Sequence, residues 1–452
     1  MRIELSIPQD FLDLLSATGG IFYGDIRDQF VKGICTDSRE CMPGDVFFAL
    51  DGKIFDGNSF IPDAINSGAI PVGRGVGRYG IRVDSGNDAL LSLASFYKNS
   101  LPQLVHTVAI TGSVGKTTTK EFLKILSNTQ YKTHATWGNY NNDIGAALTV
   151  LSAPKDTEIL ILEFGMNHEG EIERLSKAFT PDSGVITKIG SAHIGHLGTR
   201  EMIAKAKLEI TSGLKSKLLI PWEEGLLLNK YQNTGCFSSK SSLANVAVLK
   251  NTFDQLELYI QGDIYSIFDF PSKAEHILEC LCAAIISALE IGLNPNEIIK
   301  GIADIKEDTF RHKLIRSKNG YFILDDAYNA SYESIQAALA MMSRITGAER
   351  KHTLLGNILE LGDMSYDIHH SVGEMISSFG IHYLFLLGEY AEAVYAGAIH
   401  SGFNKERIFI LNGLESYEKM AEFINTLIKA DDIILIKGSH GMHLETIVES
   451  IR

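Results

Sequence analysis

The sequence TGSVGKT at residues 111–117 has the residue types needed to bind phosphate. Apolar residues at 108–110 lead into it and a helix-forming stretch follows, so the turn should join a strand to a helix. Backbone N–H groups of a glycine-rich turn at the positive end of a helix form a cradle for anions. Lys116 would reach the β- and γ-phosphates of a nucleotide, and the Thr117 hydroxyl would bind Mg²⁺. Because Ile110 replaces the first glycine of the common motif G-x-x-x-x-G-K-[ST], only the shorter form T-G-x-x-G-K-T is matched.

Two further residues could bind a metal ion beside this turn. Glu163 ends the apolar stretch EILILE, and carboxylate oxygens are ligands that Mg²⁺ prefers. The alternative for Glu163 is a solvated acid at the end of a strand. His193, in KIGSAHIGHLG, follows the next predicted strand. Because an isolated histidine is as often structural as it is a ligand, both interpretations of His193 stay open.

Asparagines cluster in TWGNYNNDIG, before a helix predicted to begin near Gly145. Asn139, Asn141 and Asn142 could be turn and cap residues, which is a common use of asparagine. Their density also suggests amide groups directed at a ligand. These residues alone do not decide between the two roles.

The elements that must position these residues alternate between strand and helix from residue 105 onwards. This alternation predicts a mainly parallel sheet with helices on both faces. The predicted strands are 107–111, 158–163, 184–189 and 217–220, and the predicted helices include 117–128 and 199–214. The stretch 225–270 is interpreted as an antiparallel extension of this sheet, and a helix at 273–291 as the end of the domain.

A second alternating set begins near residue 320 and predicts another parallel open sheet. The first hundred residues are rich in turn signals and predict a small α/β unit. Ligands bind open parallel sheets at the carboxyl ends of the strands. The notable polar residues at such ends are Glu163, His193, Asp325, Asp326 and Lys437. We therefore expect a cleft between two α/β domains that face each other.

Composition excludes several classes of protein. The chain has 452 residues and 45% hydrophobic content, which suits about two to four domains. A formal net charge of −14 argues against a general binder of nucleic acid or of anionic membranes. Five cysteines without a C-x-x-C pair favour free thiols in a reducing cytosol. We expect a cytoplasmic protein without stable membrane association, since neither a signal peptide nor an apolar run of spanning length is found.

Eight blocks of the sequence match one protein family in order along the chain. They are TDSRECMPGDVFFAL (36–50), AITGSVGKTTTKE (109–121), ATWGNYNNDIG (135–145), EFGMNHEGEIERLS (163–176), PDSGVITKIGSAHIGHLGTREMIAKAKLEI (181–210), LDDAYNAS (324–331), LLGNILELGDMS (354–365) and IKGSHGMHLE (436–445). With these blocks the chain resembles the Mur ligases of peptidoglycan synthesis. One phosphate loop alone would be weak support, whereas eight ordered blocks are strong support.

The resemblance implies an α/β protein of three domains. Residues 1–104 would form a small α/β domain for the UDP-linked substrate. Residues 105–309 would form the central ATPase domain, built on a P-loop mononucleotide-binding parallel sheet, and residues 310–452 a Rossmann-like domain for the amino substrate. The implied activity is that of a monomeric, ATP-dependent amide ligase, which joins D-alanyl-D-alanine to UDP-N-acetylmuramoyl-tripeptide through an acyl phosphate.

The same resemblance implies roles for individual residues. The catalytic residues would be Lys116, Glu163, His193 and Lys207. Two Mg²⁺ ions would be bound by Thr117, Glu163, His193 and Lys207, the last of these carbamylated by CO₂. ATP would contact Gly112, Ser113, Val114, Gly115, Lys116, Thr117, Thr118, Asn142, Arg311, Asp326 and Asn329. The other substrates would contact Thr36, Asp37, Ser38, Arg39, Asn139, Lys437 and Ser439.

Some positions differ from the branch of the family that uses D-alanyl-D-alanine. That branch has asparagines beside adenine in the pattern G-x-H-N-x-x-N, and here Ile277 and Cys280 take their places. The differences spare the phosphate and metal groups. Two alternatives stay open: a paralogous ligase with a different acid and amine, or a non-catalytic relative that binds nucleotide or precursor. The residues that would bind phosphate and metal are all present, which argues against the non-catalytic alternative. They are Lys116, Thr117, Glu163, His193 and Lys207.

Overall fold

The strands of the protein form mixed and parallel sheets that follow one another along the chain. The structure is a computed structural model and describes residues 1–24, 30–52, 55–191, 194–252, 255–306, 309 and 313–452. Over these ranges there are three sheets, and the predicted α/β fold class is confirmed. Among the helices described there, none is long and apolar enough to cross a membrane.

The first sheet has parallel strands in its centre and an antiparallel strand at each edge. Its elements are β1 (Arg2–Asp10), α1 (Phe11–Thr18), β2 (Ile21–Tyr23), β3 (Phe30–Cys35), β4 (Val46–Phe48), α2 (Ile61–Asn66), β5 (Ile70–Gly73), β6 (Gly80–Arg82) and α3 (Gly86–Ser100). The strand order is β1-β3-β4-β5-β6-β2. Helix α3 joins this unit to the central sheet, since Ser95 Oγ donates a hydrogen bond to Ala178 O and Tyr97 OH donates one to Ala153 O.

The central sheet has the order β15-β14-β13-β12-β11-β10-β7-β9-β8 and carries helices on both faces. Its strands are β7 (His106–Thr111), β8 (Thr133–Ala135), β9 (Ile159–Glu163), β10 (Ser183–Ile186), β11 (Lys217–Pro221), β12 (Thr234–Ser238), β13 (Val246–Asn251), β14 (Gln255–Ile260) and β15 (Asp263–Phe268). Its helices are α4 (Lys116–Ser127), α5 (Asp143–Leu151), α6 (Glu171–Phe179), α7 (Ile194–Leu197), α8 (Arg200–Leu208), α9 (Glu275–Ile291) and α10 (Pro295–Ala303).

The predictions for this sheet are confirmed in its centre and partly wrong at its edge. The four predicted strands and the helix at 273–291 are present as β7, β9, β10, β11 and α9. The extension at 225–270 is antiparallel only from β13 to β15, because β12 pairs parallel with both β11 and β13. The predicted helix 199–214 ends as α8 at Leu208, and a 3-10 helix follows over Glu209–Gly213.

The third sheet is parallel except at one edge. Its elements are β16 (Lys313–Arg316), β17 (Phe322–Asp326), α11 (Tyr332–Arg344), β18 (Lys351–Leu355), α12 (Ser365–Ile376), β19 (Tyr383–Leu386), α13 (Ala391–His400), β20 (Ile408–Ile410), α14 (Tyr417–Leu427), β21 (Ile433–Lys437) and α15 (Glu445–Ile451). The strand order is β16-β17-β21-β18-β19-β20. The prediction of a parallel sheet is confirmed for β17 to β21, whereas β16 adds an antiparallel edge.

The packing of α4 fixes the phosphate-binding turn. Phe122, Leu123 and Leu126 of this helix are fully buried against α9 and the apolar strands β7 and β9. Because the first residue of α4 directly follows the turn, the buried helix points its N-terminus at the carboxyl end of β7. Parallel pairing of β7 with β9 places Ile110 opposite Glu163, so the turn and the carboxylate lie at the same sheet edge.

Candidate active site

A cavity of about 460 Å³ lies between the central and third sheets. The phosphate-binding turn and the start of α4 form one wall, and residues 276–283 of α9 form another. The third sheet closes the cavity with Asp326, Asn329 and Lys437, all at the carboxyl ends of strands or just beyond. The volume is in the range of small-molecule sites. The predicted cleft between two α/β units is thus present in the described part of the chain.

Two glycines allow the turn to approach its neighbours. Gly112 has φ +147° and Gly115 has φ +85°, conformations that L side chains rarely adopt. A Cβ at Gly112 would lie 2.0 Å from Thr187 Oγ1, and one at Gly115 would lie 2.9 Å from Cys280 Sγ. The Thr187 hydroxyl donates to Val114 O at 2.6 Å, and Ser113 N donates to Lys188 O at 2.8 Å. The strand end after β10 therefore braces the turn in an anion-binding shape.

Lys116 folds back over the same turn. Its Nζ donates to Gly112 O at 2.8 Å, so the ammonium stays at the mouth of the cradle. Thr117 and Thr118 also line the cavity. Residues 113–118 thus provide the donors and the cation that the motif predicts for a polyphosphate.

Glu163 is the central acid of the site and is only 1% exposed. Thr117 Oγ1 donates to its Oε2 at 2.7 Å, and Asn141 Nδ2 donates to its Oε1 at 3.0 Å. Lys120 Nζ lies 4.0 Å from Oε2 and donates to Thr136 O at 2.6 Å. A carboxylate held against the hydroxyl of a phosphate-binding turn gives paired hard oxygen donors of the kind that Mg²⁺ prefers.

Lys207 is fully buried behind the turn. Across the described residues, no hydrogen-bond acceptor is within reach of its Nζ. Burial lowers the pKa of this amine well below its usual value, and the positive charge of Lys116 lowers the pKa further. The nearby Glu209 carboxylate, which opposes this shift, accepts hydrogen bonds from Gly170 N and Glu173 N instead. These surroundings therefore favour the neutral amine over the ammonium ion.

The third sheet contributes a buried ion pair to the cavity. Lys437 Nζ donates to Asp326 Oδ2 at 2.6 Å and to Asn329 O at 2.8 Å. The two side chains are 2% and 9% exposed, and their residues are paired across β21 and β17. Tyr328 and His440 also line the cavity, with ring centroids 5.6 Å apart. This pair fixes the shape of the wall that faces the phosphate-binding turn.

A carboxylate from the third sheet's first helix connects the two walls. Glu333, in the first turn of α11, accepts from Ser191 N at 2.8 Å and from Ser191 Oγ at 3.0 Å. Gly195 N also donates to Glu360 O at 3.1 Å. These contacts join the two walls of the cavity beside the end of β10.

The α9 wall is more apolar than the resemblance implies. Ile277 and Cys280 line the cavity where the related branch has asparagines. Burial raises the pKa of the Cys280 thiol to about 12, so this thiol stays protonated at neutral pH. Burial also raises the pKa of Glu279, another residue of this wall. The α9 wall therefore presents apolar surface and the buried carboxyl group of Glu279 to the cavity, rather than amide groups.

Several residues predicted to bind substrates lie away from the cavity lining. Asn142 is the N-cap of α5 and accepts from Gly145 N at 2.8 Å, whereas Asn139 and Asn141 line the cavity. Ser439 Oγ accepts from Leu359 N at 2.9 Å. His193 and Arg311 lie outside the described residues.

The predicted loop of residues 36–39 belongs to the first sheet's unit. Thr36 N donates to Met1 O, and Ser38 is buried. Asp37 caps the short 3-10 helix that follows and makes a two-point contact with the Arg39 guanidinium at 2.6 and 2.9 Å. The guanidinium lowers the pKa of Asp37 to about 2.

Lys120 and Glu333 were not predicted from the sequence. For Asn141, the sequence left open whether it is a turn or cap residue or an amide directed at a ligand. Lys120 lies one helical turn beyond Lys116, which was the available signal for a second lysine near the site. Glu333 gave no local signal because its partner, Ser191, is 142 residues away.

Comparison with known proteins identifies the family. Three family models match: the Mur ligase middle domain over residues 110–288, the Mur ligase glutamate ligase domain over 310–440, and the Mur ligase catalytic domain over 30–73. The UDP-N-acetylmuramoyl-tripeptide–D-alanyl-D-alanine ligase of Bacillus subtilis is 35% identical over 432 residues, 93% of each chain. This chain belongs to the Mur ligase family.

Solved Mur ligase structures share the whole fold. A crystal structure of MurF from Acinetobacter baumannii superposes with a TM-score of 0.88 at 27% identity and covers 99% of both chains. MurF from Thermotoga maritima in complex with ADP superposes with a TM-score of 0.81 at 27% identity, over 92% of this chain and 96% of that one. The similarity therefore extends over all three sheets.

The buried pair of Lys437 and Asp326 leads to a prediction about local stability. Lys437→Met should remove the buried cation that pairs with the Asp326 carboxylate and lower the local free energy of unfolding by about 3–5 kcal/mol. Hydrogen exchange of the β17 and β21 amides measures this change. The matched control is Lys419→Met, which removes an exposed ion pair with Glu415 and should change it by about 1 kcal/mol or less. Equal effects of the two substitutions would contradict a structural role for the buried pair.

Proposed function

We propose that this Mur ligase forms an amide bond with the energy of ATP, joining D-alanyl-D-alanine to UDP-N-acetylmuramoyl-tripeptide. The contact of Thr117 with Glu163 beside the phosphate-binding turn carries the proposal. It places hard oxygen donors where a nucleotide's terminal phosphates and a metal ion would meet. The names of the Bacillus relative and of the ADP-bound Thermotoga structure support the substrate pair and the nucleotide.

The reaction requires activation of a carboxylate, because its leaving group would otherwise be oxide. A carboxylate oxygen attacks the γ-phosphorus of ATP, which gives an acyl phosphate and releases ADP. The amine nitrogen of D-alanyl-D-alanine then attacks the acyl carbon and loses a proton, and phosphate leaves as the C–N bond forms. A cavity between two sheets suits this sequence of steps because it limits the access of water, which would hydrolyse the acyl phosphate.

Charge is the main obstacle, because the acid and the polyphosphate are both anions. The Lys116 ammonium and the N–H groups of the turn would offset negative charge on the phosphates. Thr117 and Glu163 would hold one Mg²⁺, and His193 with a modified Lys207 a second. When bound, these ions neutralise phosphate charge and align the reacting groups.

The surroundings of Lys207 support the proposed carbamylation of its amine. Only a neutral amine adds to CO₂, and burial of Lys207 beside Lys116 favours that form. The product is an anion with two oxygen donors, and the nearby positive charge of Lys116 would stabilise it. A carbamate near the phosphate-binding turn also suits a site that must hold metal ions.

The remaining assignments complete the proposal. Residues 1–104 form the domain for the UDP-linked substrate, with the loop 36–39 at the uridine nucleotide. Residues 105–309 form the ATPase domain, and residues 310–452 the domain that brings the amino substrate, with Lys437 near the incoming amine. We also propose a cytoplasmic location and a monomeric state, as the resemblance to the Mur ligases implies.

One assay tests the function directly. With ATP, Mg²⁺, UDP-N-acetylmuramoyl-tripeptide and D-alanyl-D-alanine, the protein should produce ADP, phosphate and the pentapeptide product together. Lys116→Ala should lose roughly 10²-fold in turnover because a phosphate clamp is removed. Lys124→Ala, in the last turn of the same helix, is the control and should keep normal turnover. ADP formation without pentapeptide would contradict the substrate pair, and absence of turnover would contradict the ligase assignment.

A separate measurement tests the carbamate. Protein equilibrated with ¹³C-bicarbonate should show a carbamate resonance in its ¹³C NMR spectrum, and Lys207→Met should lack it. Lys205→Met, on the exposed side of the same helix, is the matched control and should keep the resonance. A resonance that persists in Lys207→Met would place the modification on another residue. Absence of the resonance from the protein without a substitution would contradict carbamylation.

A further inference from the structure

Two histidines and a glutamate converge on the surface of the third sheet's unit, outside the cavity. His370 and Glu374 lie one turn apart on α12, and His400 is the last residue of α13. His400 Nδ1 lies 2.9 Å from Glu374 Oε1, and His370 Nδ1 lies 3.7 Å from the same oxygen. One donor atom from each of the three residues lies within 4.8 Å of the others.

The helices that carry these residues are locked together at their backbones. A Cβ at Gly373 would lie 2.1 Å from Val394 O, and one at Gly397 would lie 1.9 Å from His370 O. Ser377 Oγ also donates to Ser401 Oγ at 2.8 Å, just beyond the helix ends. The crossing of α12 and α13 therefore fixes where the three side chains begin.

Their chemistry matches a known type of metal site. Zn²⁺ is commonly bound by imidazole nitrogen and carboxylate oxygen at about 2.0–2.2 Å, in tetrahedral geometry. Such bond lengths require donor atoms about 3.3 Å apart, which lies between the two distances to Glu374 Oε1. We propose that His370, Glu374 and His400 bind a divalent transition-metal ion, preferentially Zn²⁺, with water as the fourth ligand.

Ion pairing alone is a weaker explanation of this cluster. In the part of the chain that the structure describes, Glu374 makes its ion pairs with these two histidines and with no lysine or arginine. His400 is 72% exposed and Glu374 41% exposed, and such exposed pairs contribute little to stability. A metal ion instead uses all three donors at once.

The site would be independent of the catalytic metals. None of the three residues is part of the described cavity lining. Imidazole ligands select Zn²⁺ and similar ions, whereas the oxygen donors at Thr117 and Glu163 suit Mg²⁺. The bound ion would tie α12 to α13 and stabilise the outer layer of the third sheet's unit by binding to its folded form.

Zinc titration of the full chain tests the proposal. After treatment with a chelator and in saturating Mg²⁺, the protein should bind one equivalent of Zn²⁺ that His400→Ala and Glu374→Gln weaken by roughly tenfold or more. Hydrogen exchange should show that Zn²⁺ protects α12 and α13 in the unsubstituted protein only. The measurement does not depend on ligase activity, so failure of the ligase assay would leave it unaffected.

A matched control separates this site from other surface histidines. His443 is exposed and lies just before α15, 3.2 Å from Glu445 at the start of that helix. His443→Ala should bind Zn²⁺ as the unsubstituted protein does. The proposal is overturned if His400→Ala and Glu374→Gln keep the same stoichiometry and affinity, or if Zn²⁺ leaves the exchange of α12 and α13 unchanged.

Discussion

Like charges must be brought together in this protein, and that constraint explains the polar residues buried around its cavity. A polyphosphate and a carboxylate repel each other, so a site that joins them needs cations and N–H donors in fixed positions. Lys116 provides one cation at the mouth of the turn. Glu163 lines the same cavity and accepts hydrogen bonds from Thr117 and Asn141. Buried charges of this kind persist only where partners compensate them.

The architecture follows from the need to hold those groups still. Strand register places Glu163 beside the turn, and the buried faces of α4 fix the direction of the helix that begins there. The opposite wall comes from another sheet, whose ion pair of Lys437 with Asp326 shapes it. The contact between Ser191 and Glu333 connects the two walls. The same few contacts therefore join the two walls of the cavity and compensate its buried charges.

Local sequence patterns predicted the features that depend on residues adjacent in the sequence. The glycine-rich turn, the strand ending in Glu163 and the parallel sheets all have such patterns, and the structure contains each of them. Direction within the sheet was harder to predict, because alternating hydrophobicity is the same for parallel and antiparallel edges. The prediction of an antiparallel extension was wrong for this reason at the pairs of β12 with β11 and with β13, which are parallel. Glu333 acquires its contact only through tertiary folding, so no local pattern indicates it, whereas the signal for Lys120 was its spacing of one helical turn from Lys116.

In the proposed reaction, a carboxylate oxygen becomes bonded to the γ-phosphorus of ATP before the amide forms. Transfer of ¹⁸O from the acceptor carboxylate of UDP-N-acetylmuramoyl-tripeptide would report this bond. If the acyl phosphate forms, inorganic phosphate should carry one labelled oxygen for each amide bond made. Phosphate without label, at normal amide yield, would contradict the proposed reaction.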